Sequence, residues 1–350
     1  MIRHWSRREA LRALGAVCAS GFASVLPAAP GNIAFPDGAI IRTLLADLAP
    51  SALETGATLF HEHLSQVVSA PATQDASADD LSHMIDQVRS AQEAGIVCVV
   101  DGGHPDMGRR LADLRRIATA TGMHVVGSGG YFRQNTYPPE LARMGVDQIA
   151  EGLVTEARRD RLGAFGEIGQ SSNTPRPTPE ERKMFRAIGK AHQQTNLPIF
   201  THNPYGNGTT PRESGLRQLD ALGAAGVAPE HIAIGHMCCL DDHAIEIARK
   251  IAKRRAFVGI DRVTGGFVPD EKKIALLLAL LDAGYADRIL LSSDFTGMKS
   301  APPKGYVRPL SLANTLSVFV PKLRQAGVTD QTLRTITVDN PRRFLAFTPK

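Results

Sequence analysis

Aromatic residues make up only 5% of this 350-residue sequence, with a single Trp, and there are four cysteines, Cys18, Cys98, Cys238 and Cys239. Four cysteines without framework spacing exclude a small scaffold held by disulfides. Excess charge is also small. The formal net charge is +5, and Arg3, Arg7, Arg8 and Arg12 against Glu9 place about +3 of it in the first 29 residues. The remaining +2 or so, with no stripe of Lys and Arg, argues against nucleic acid or an anionic membrane as partner. The apolar run Ala13 to Leu26 is short for a bilayer span, so stable membrane association is not expected. Glycine and proline are plentiful, 32 and 22 residues, in a chain that is 43% hydrophobic. That combination suits a large buried core crossed by many short connections.

The N-terminus reads as a targeting segment. Ser6-Arg7-Arg8-Glu9-Ala10-Leu11-Arg12 is a twin-arginine pattern ahead of the apolar run, and the small residues Ala28 and Ala29 follow it. Residues 1–29 are therefore expected to be a twin-arginine signal peptide, and the protein to be periplasmic or secreted. The competing reading is an amphipathic first helix, for which Gly15, Gly21 and Pro27 are poor residues.

Beyond Pro36, short apolar runs alternate with helical patterns. The runs are Thr58–Phe60, Ile96–Val100, His124–Val126, Ala164–Ile168, Pro198–Thr201, His231–Ile234, Ala256–Ile260 and Ile289–Leu291. Helical periodicity covers Ala78–Ala94, Gly108–Thr121, Pro179–Thr195 and Asp270–Ala283. Thr178-Pro179-Glu180-Glu181 is a helix start, and Gly122 and Gly284 stand where helices stop. Eight strand–helix units predict a (β/α)8 TIM barrel, a single domain over residues 30–350, with an open doubly wound sheet as the alternative. Residues 66–77 read as a loop after the first strand.

Polar residues collect where those runs end. His61 and His63 close the first, and their spacing of two puts both rings on one face of an extended chain. Glu167 closes the fourth, His202 the fifth, His236 the sixth and Asp294 the eighth. Barrels of this kind build their reactive face from the C-terminal strand ends. Imidazole with carboxylate is a donor set for zinc, manganese, cobalt or iron. Six donors exceed what one tetrahedral ion needs and suit two divalent ions, expected to be zinc. His61, His63 and Asp294 are expected to hold one, His202 and His236 the other, and Glu167 to bridge. His83, His192 and His243 lie in helical patterns and are expected to be solvated, while His124 and His231 begin strands at the opposite rim. His104, after the second strand, either faces the pocket or packs as a structural residue.

The segments Gly56–Leu64, Val100–Asp101 with Gly108–Arg109 and Leu114–Ala118, Gly127–Tyr131 with Tyr137-Pro138, and Val338–Leu345 together resemble the phosphotriesterase family of the amidohydrolase superfamily. The resemblance implies that the five residues His61, His63, His202, His236 and Asp294 are metal ligands, and implies a homodimer. Many members carry a carboxylated lysine at the fourth strand. Glu167 here resembles a subset with a plain carboxylate. Cys239 and Arg262 stand where organophosphate-hydrolysing members have an acid and a histidine, and Ile260-Asp261-Arg262 looks more like the lactone-hydrolysing branch.

The expected activity is thus hydrolysis of a carboxylic ester or lactone, with phosphotriesters as promiscuous substrates and Asp294 as general base. Tyr131 and Arg262 are candidate substrate contacts, although Arg262 reads equally well as an ion pair with Asp261 or a helix end. Asn203–Gly208 and Thr296–Tyr306 are loops placed to set specificity for a small-molecule substrate. Cys238 and Cys239 read as small apolar groups beneath the ions. Two other classes stay open: a TatD-like metal-dependent nuclease, and a non-catalytic periplasmic binding protein on the same barrel.

Overall fold

The computed structural model describes residues 33–65, 78–171, 174, 176–204, 211–239, 244–296 and 304–350; the expected signal segment and the 66–77 loop lie outside them. Eight parallel strands follow one another in sequence order: β1 (Ala57–Glu62), β2 (Ile96–Asp101), β3 (His124–Gly129), β4 (Ala164–Gly169), β5 (Ile199–His202), β6 (Ile232–Ile234), β7 (Phe257–Ile260) and β8 (Ile289–Leu291). The ring closes where His63 bridges Thr296 in parallel and its N–H donates to the Phe295 carbonyl at 2.8 Å. Sequential strand order and closure make this a (β/α)8 barrel and exclude the doubly wound sheet.

Among the described residues seven α-helices separate the strands: α1 (Ala78–Glu93), α2 (Leu111–Thr121), α3 (Val146–Asp160), α4 (Pro179–Thr195), α5 (Ser214–Ala224), α6 (Ala244–Lys253) and α7 (Asp270–Asp282). After β8 come α8 (Val320–Gln325), α9 (Asp330–Arg334) and α10 (Asn340–Leu345). The start of α4 is a reciprocal cap. The Thr178 hydroxyl accepts from Glu181 N–H, and Thr178 N–H donates back to Glu181 Oε2, which satisfies two otherwise orphaned donors. The second helix begins at Leu111, not Gly108. Gly108 takes a left-handed φ of 74° to close the short turn Pro105–Met107, a conformation that cannot continue a right-handed helix.

Four phenylalanines fill the inside of the barrel. Phe60, Phe200, Phe257 and Phe344 are buried and packed edge-to-face, with ring centres 5.5–6.4 Å apart, a favourable arrangement for aromatic quadrupoles. Phe344 comes from α10, so the C-terminal helix plugs the barrel from below together with Ile41 and Leu53. His61 stands edge-on over Phe200 at 5.2 Å. The polar centre therefore rests on a dry floor. A second apolar layer, including Leu59, Val99, Phe165, Ile199 and Val258, joins the outer faces of the strands to the helices.

Candidate metal centre

The six predicted residues meet at one end of the barrel. His61 and His63 come from the end of β1, Glu167 from β4 and His202 from β5; His236 and Asp294 follow β6 and β8. All six are at most 9% exposed. His236 and Asp294 hold left-handed backbone conformations, φ 54° and 53°, which non-glycine residues keep only where their surroundings enforce them. Both enforcers are carboxylates. His236 N–H donates to Asp261 Oδ1 at 2.7 Å. The residues flanking Asp294, Ser293 and Phe295, donate their N–H groups to Glu62 Oε1 and Oε2 at 2.8 and 2.6 Å. Burial pushes Glu62 up to about 7, against the pull of those donors. Gly166 precedes Glu167 because the chain there runs against the Phe200 ring: with φ at 147°, a Cβ would lie 2.4 Å from that ring.

Asp261 also fixes the protonation of two imidazoles. A carboxylate accepts only, so His61 Nδ1 (2.9 Å from Asp261 Oδ2) and His236 Nδ1 (3.1 Å from Oδ1) are the N–H donors. In the neutral rings Nε2 is then a lone pair. Both lone pairs face the same oxygen, Glu167 Oε2, at 3.2 Å from His61 and 3.3 Å from His236. His202 Nδ1 lies 2.8 Å from that oxygen and 2.9 Å from His236 Nε2. On the other side His63 Nε2 lies 3.1 Å from Asp294 Oδ1 and 3.5 Å from Glu167 Oε1.

Lone pairs aimed at a carboxylate repel it unless positive charge lies between them. Protons can supply that charge. Burial lowers His61, but Glu167 and Asp261 outweigh it and hold the ring well above its usual range. Likewise His63 rises to about 9, burial being outweighed by Asp294 and Glu167. A divalent cation supplies the same charge without protonating any ring, and imidazole with carboxylate is its donor chemistry. Donor atoms of His61, His63 and Asp294, and of His61, Glu167 and His236, fall within 4.8 Å of one another. The residues fit a metal centre.

The other expectations divide. Arg262 does not pair with Asp261: its Nε donates to Asp294 Oδ2 at 2.8 Å, and its guanidinium lies 5.7 Å from the Tyr306 ring centre. Tyr131 is half-buried and edge-on to Tyr137, 6.1 Å between ring centres, and among the described residues it has no hydrogen bond to any of the six. His104 is fully buried, its Nδ1 3.7 Å from Asp106 Oδ1. Cys238 is buried with Sγ 3.8 Å from Asp261 Oδ1; the side chain of Cys239 and all of His243 lie outside the described residues. His83 is exposed as expected. His192 is not: it is 6% exposed, with Nδ1 2.8 Å from the Leu197 carbonyl. It lies four residues after Ile188 and eight after Met184, on the buried face of α4.

Sequence reasoning gave no role to Glu62 or Asp101, and read Asp261 only as an alternative ion-pair partner of Arg262. Asp101 accepts from Leu64 and Gly103 N–H at 2.7 and 3.0 Å and pins the chain just beyond His63. The signal was present: each is an acid at a strand end, beside or between donors already singled out.

The phosphotriesterase family model matches residues 41–345. The chain belongs to the phosphotriesterase family. This family member is 31% identical to the phosphotriesterase homology protein of Escherichia coli (strain K12), over 83% of this chain and 98% of that one. It is 28% identical to an aryldialkylphosphatase of Saccharolobus solfataricus, over 84% and 96% of the two chains. Its fold superimposes on the crystal structure of a lactonase from Listeria monocytogenes with a TM-score of 0.73, at 26% identity, over 87% of this chain and 98% of that chain. Phosphotriesterase-family proteins are binuclear metal enzymes, and their presence among hydrolases supports a metal-dependent hydrolase here.

Proposed function

We propose that this family member hydrolyses a carboxylic ester or lactone with two divalent ions, zinc in the first instance. The observation that carries the reading is the convergence of three imidazole nitrogens on Glu167 Oε2, two of them with tautomers fixed by Asp261. His61, His63 and Asp294 would hold one ion, His202 and His236 the other, and Glu167 both. When bound, such ions polarise the scissile carbonyl and lower the pKa of water toward neutrality.

The chain's own residues handle the proton. Water adds across the acyl C–O bond: its oxygen ends on the acyl carbon, and its proton passes through Asp294 to the departing alkoxide. Burial raises the Asp294 carboxyl, but the Arg262 guanidinium and then the His63 bond outweigh it and hold the group well below the usual carboxylate range. Arg262 orients that carboxylate through Oδ2 and leaves Oδ1 toward His63. Support for the ester or lactone bond comes from the lactonase relative and from Arg262 after β7. Support for weaker phosphotriester hydrolysis comes from the aryldialkylphosphatase relative.

Two measurements test this. Elemental analysis of the protein should find about two divalent ions per chain; metal-free protein with intact ligands would remove the site. A panel of lactones, aryl esters, phosphotriesters and single-stranded DNA should show turnover of the first two. Cleavage of DNA alone would replace this reading with a nuclease. The twin arginines at Arg7-Arg8 further support export to the periplasm, and fractionation of the native host would test it. A homodimer is the assembly we propose by family likeness.

A further inference from the structure

Among the described residues five guanidinium groups lie over aromatic rings: Arg42 on Phe347, Arg133 on Phe132, Arg262 on Tyr306, Arg288 on Phe257 and Arg342 on Phe35. Four of them also pair with a carboxylate, on Asp47, Asp294, Asp287, and both Asp339 and Glu54 respectively. Arg133 forms no ion pair with any described residue, although it is half-buried and its Nε is enclosed without a hydrogen-bond partner. A guanidinium cannot shed its charge, and a partly buried one without an anion costs free energy that an anionic partner would recover.

Its position gives that cost a meaning. The guanidinium carbon lies 4.7 Å from the centre of the Phe132 ring, and that ring is edge-on to His202 at 4.7 Å. Phe132 is pinned from both sides: its N–H donates to Asp106 Oδ2 at 2.9 Å, and its carbonyl accepts from Gly169 N–H, two residues beyond Glu167. Arg133 is therefore held beside the metal centre, within electrostatic reach of Glu167 and Glu181. Neither acid is available to it. Glu167 is committed to the imidazoles, and Glu181 accepts from Ser171, Thr178 and Gln134. The other guanidinium at the centre, Arg262, is engaged with Asp294.

We propose that Arg133 anchors a carboxylate carried by the substrate, at a distance from the bond that is cut. This rests on the hydrolase reading and narrows it to anionic esters or lactones. The planar fork of a guanidinium matches a carboxylate with two parallel hydrogen bonds, and the fork lies over the Phe132 ring.

The test compares mono-4-nitrophenyl glutarate with 4-nitrophenyl valerate, which share leaving group and acyl length and differ in the terminal carboxylate. The metal-loaded enzyme should prefer the glutarate ester. Arg133→Met should lower the ratio of the two kcat/KM values by about 10- to 100-fold, mainly through KM, and Arg133→Lys should restore part of it, charge without the fork. Calorimetry gives a readout that needs no turnover: glutarate should bind the metal-loaded protein more tightly than valerate, and Arg133→Met should abolish the difference. An unchanged ratio and an unchanged binding difference in Arg133→Met would overturn the anchor. If neither ester is cut, the hydrolase reading fails while the binding comparison still decides the role of Arg133.

Discussion

At the rim built from the C-terminal strand ends, four imidazoles face two carboxylates, and the nitrogens His61 Nε2 and His63 Nδ1 are left without hydrogen-bond partners among the described residues. At the opposite rim the His192 and His231 rings meet at a tilt, 5.2 Å between centres, and His192 Nδ1 donates to the Leu197 carbonyl. Carboxylates hold His61 and His63 above the usual histidine range, whereas burial pulls His192 and His231 below it. A buried imidazole on a backbone carbonyl is a finished structural contact. Imidazoles crowding a carboxylate with their lone pairs inward are unfinished and ask for a cation. The difference lies in the partners, since burial is common to both rims.

The largest break in that comparison should come from Glu167→Gln, which keeps the shape and removes the shared charge. Loss of several kcal/mol of charge stabilisation corresponds to about a 10³-fold fall in kcat/KM, with fewer than two ions per chain by elemental analysis. A Glu167→Gln protein that kept both ions and near-parental turnover would remove the carboxylate from the centre of the site. A smaller effect is expected of Asp261→Asn, which touches none of the reacting atoms. An amide can accept from only one ring through its single oxygen, so one of His61 and His236 loses its fixed tautomer. Outer partners of metal-binding histidines are typically worth 10- to 100-fold in metal affinity or activity. The deficit should shrink when excess metal is supplied. A deficit indifferent to metal concentration would mean that Asp261 merely holds the His236 backbone.

These two variants also mark what could be read from sequence. The donors themselves were legible because strand ends are announced by apolar runs, and a histidine or acid after such a run is conspicuous. Strand boundaries are legible for the same reason: the run Ile289–Leu291 matches its strand to the residue, and the other seven runs match theirs to within three. Asp261 was not legible because its neighbour Arg262 offers a nearer partner on paper. In the fold the two residues point to different places, Asp261 beneath the imidazoles and Arg262 across to Asp294. Glu62 was hidden similarly. It lies between two conspicuous histidines, and its partners Ser293 and Phe295 are more than 200 residues away, at a separation of 231 and 233. Local spacing finds donors. The groups that aim them depend on which strands become neighbours at closure.

The smallest effect belongs to the opposite rim and should leave catalysis alone. His192→Leu removes the partner of the Leu197 carbonyl in a buried site, at a cost of about 1–3 kcal/mol of stability. The pH dependence separates this from a generic packing loss. Burial holds His192 below its ordinary value of 6.5 in the folded chain, so the unfolded chain takes up the proton first as pH falls. The contribution of the neutral ring is therefore complete above about 6.5 and declines as pH drops toward the lowered folded value. His192→Leu cannot show that decline at this position. Its deficit against the parent, measured by urea unfolding, should narrow from pH 8 to pH 5. Its kcat/KM at pH 8 should stay within about twofold of the parent, because the residue lies across the barrel from every donor of the metal centre. A deficit constant with pH would show that the ring's role there is packing alone, and a fall in kcat/KM like that of Asp261→Asn would show that the two rims are coupled.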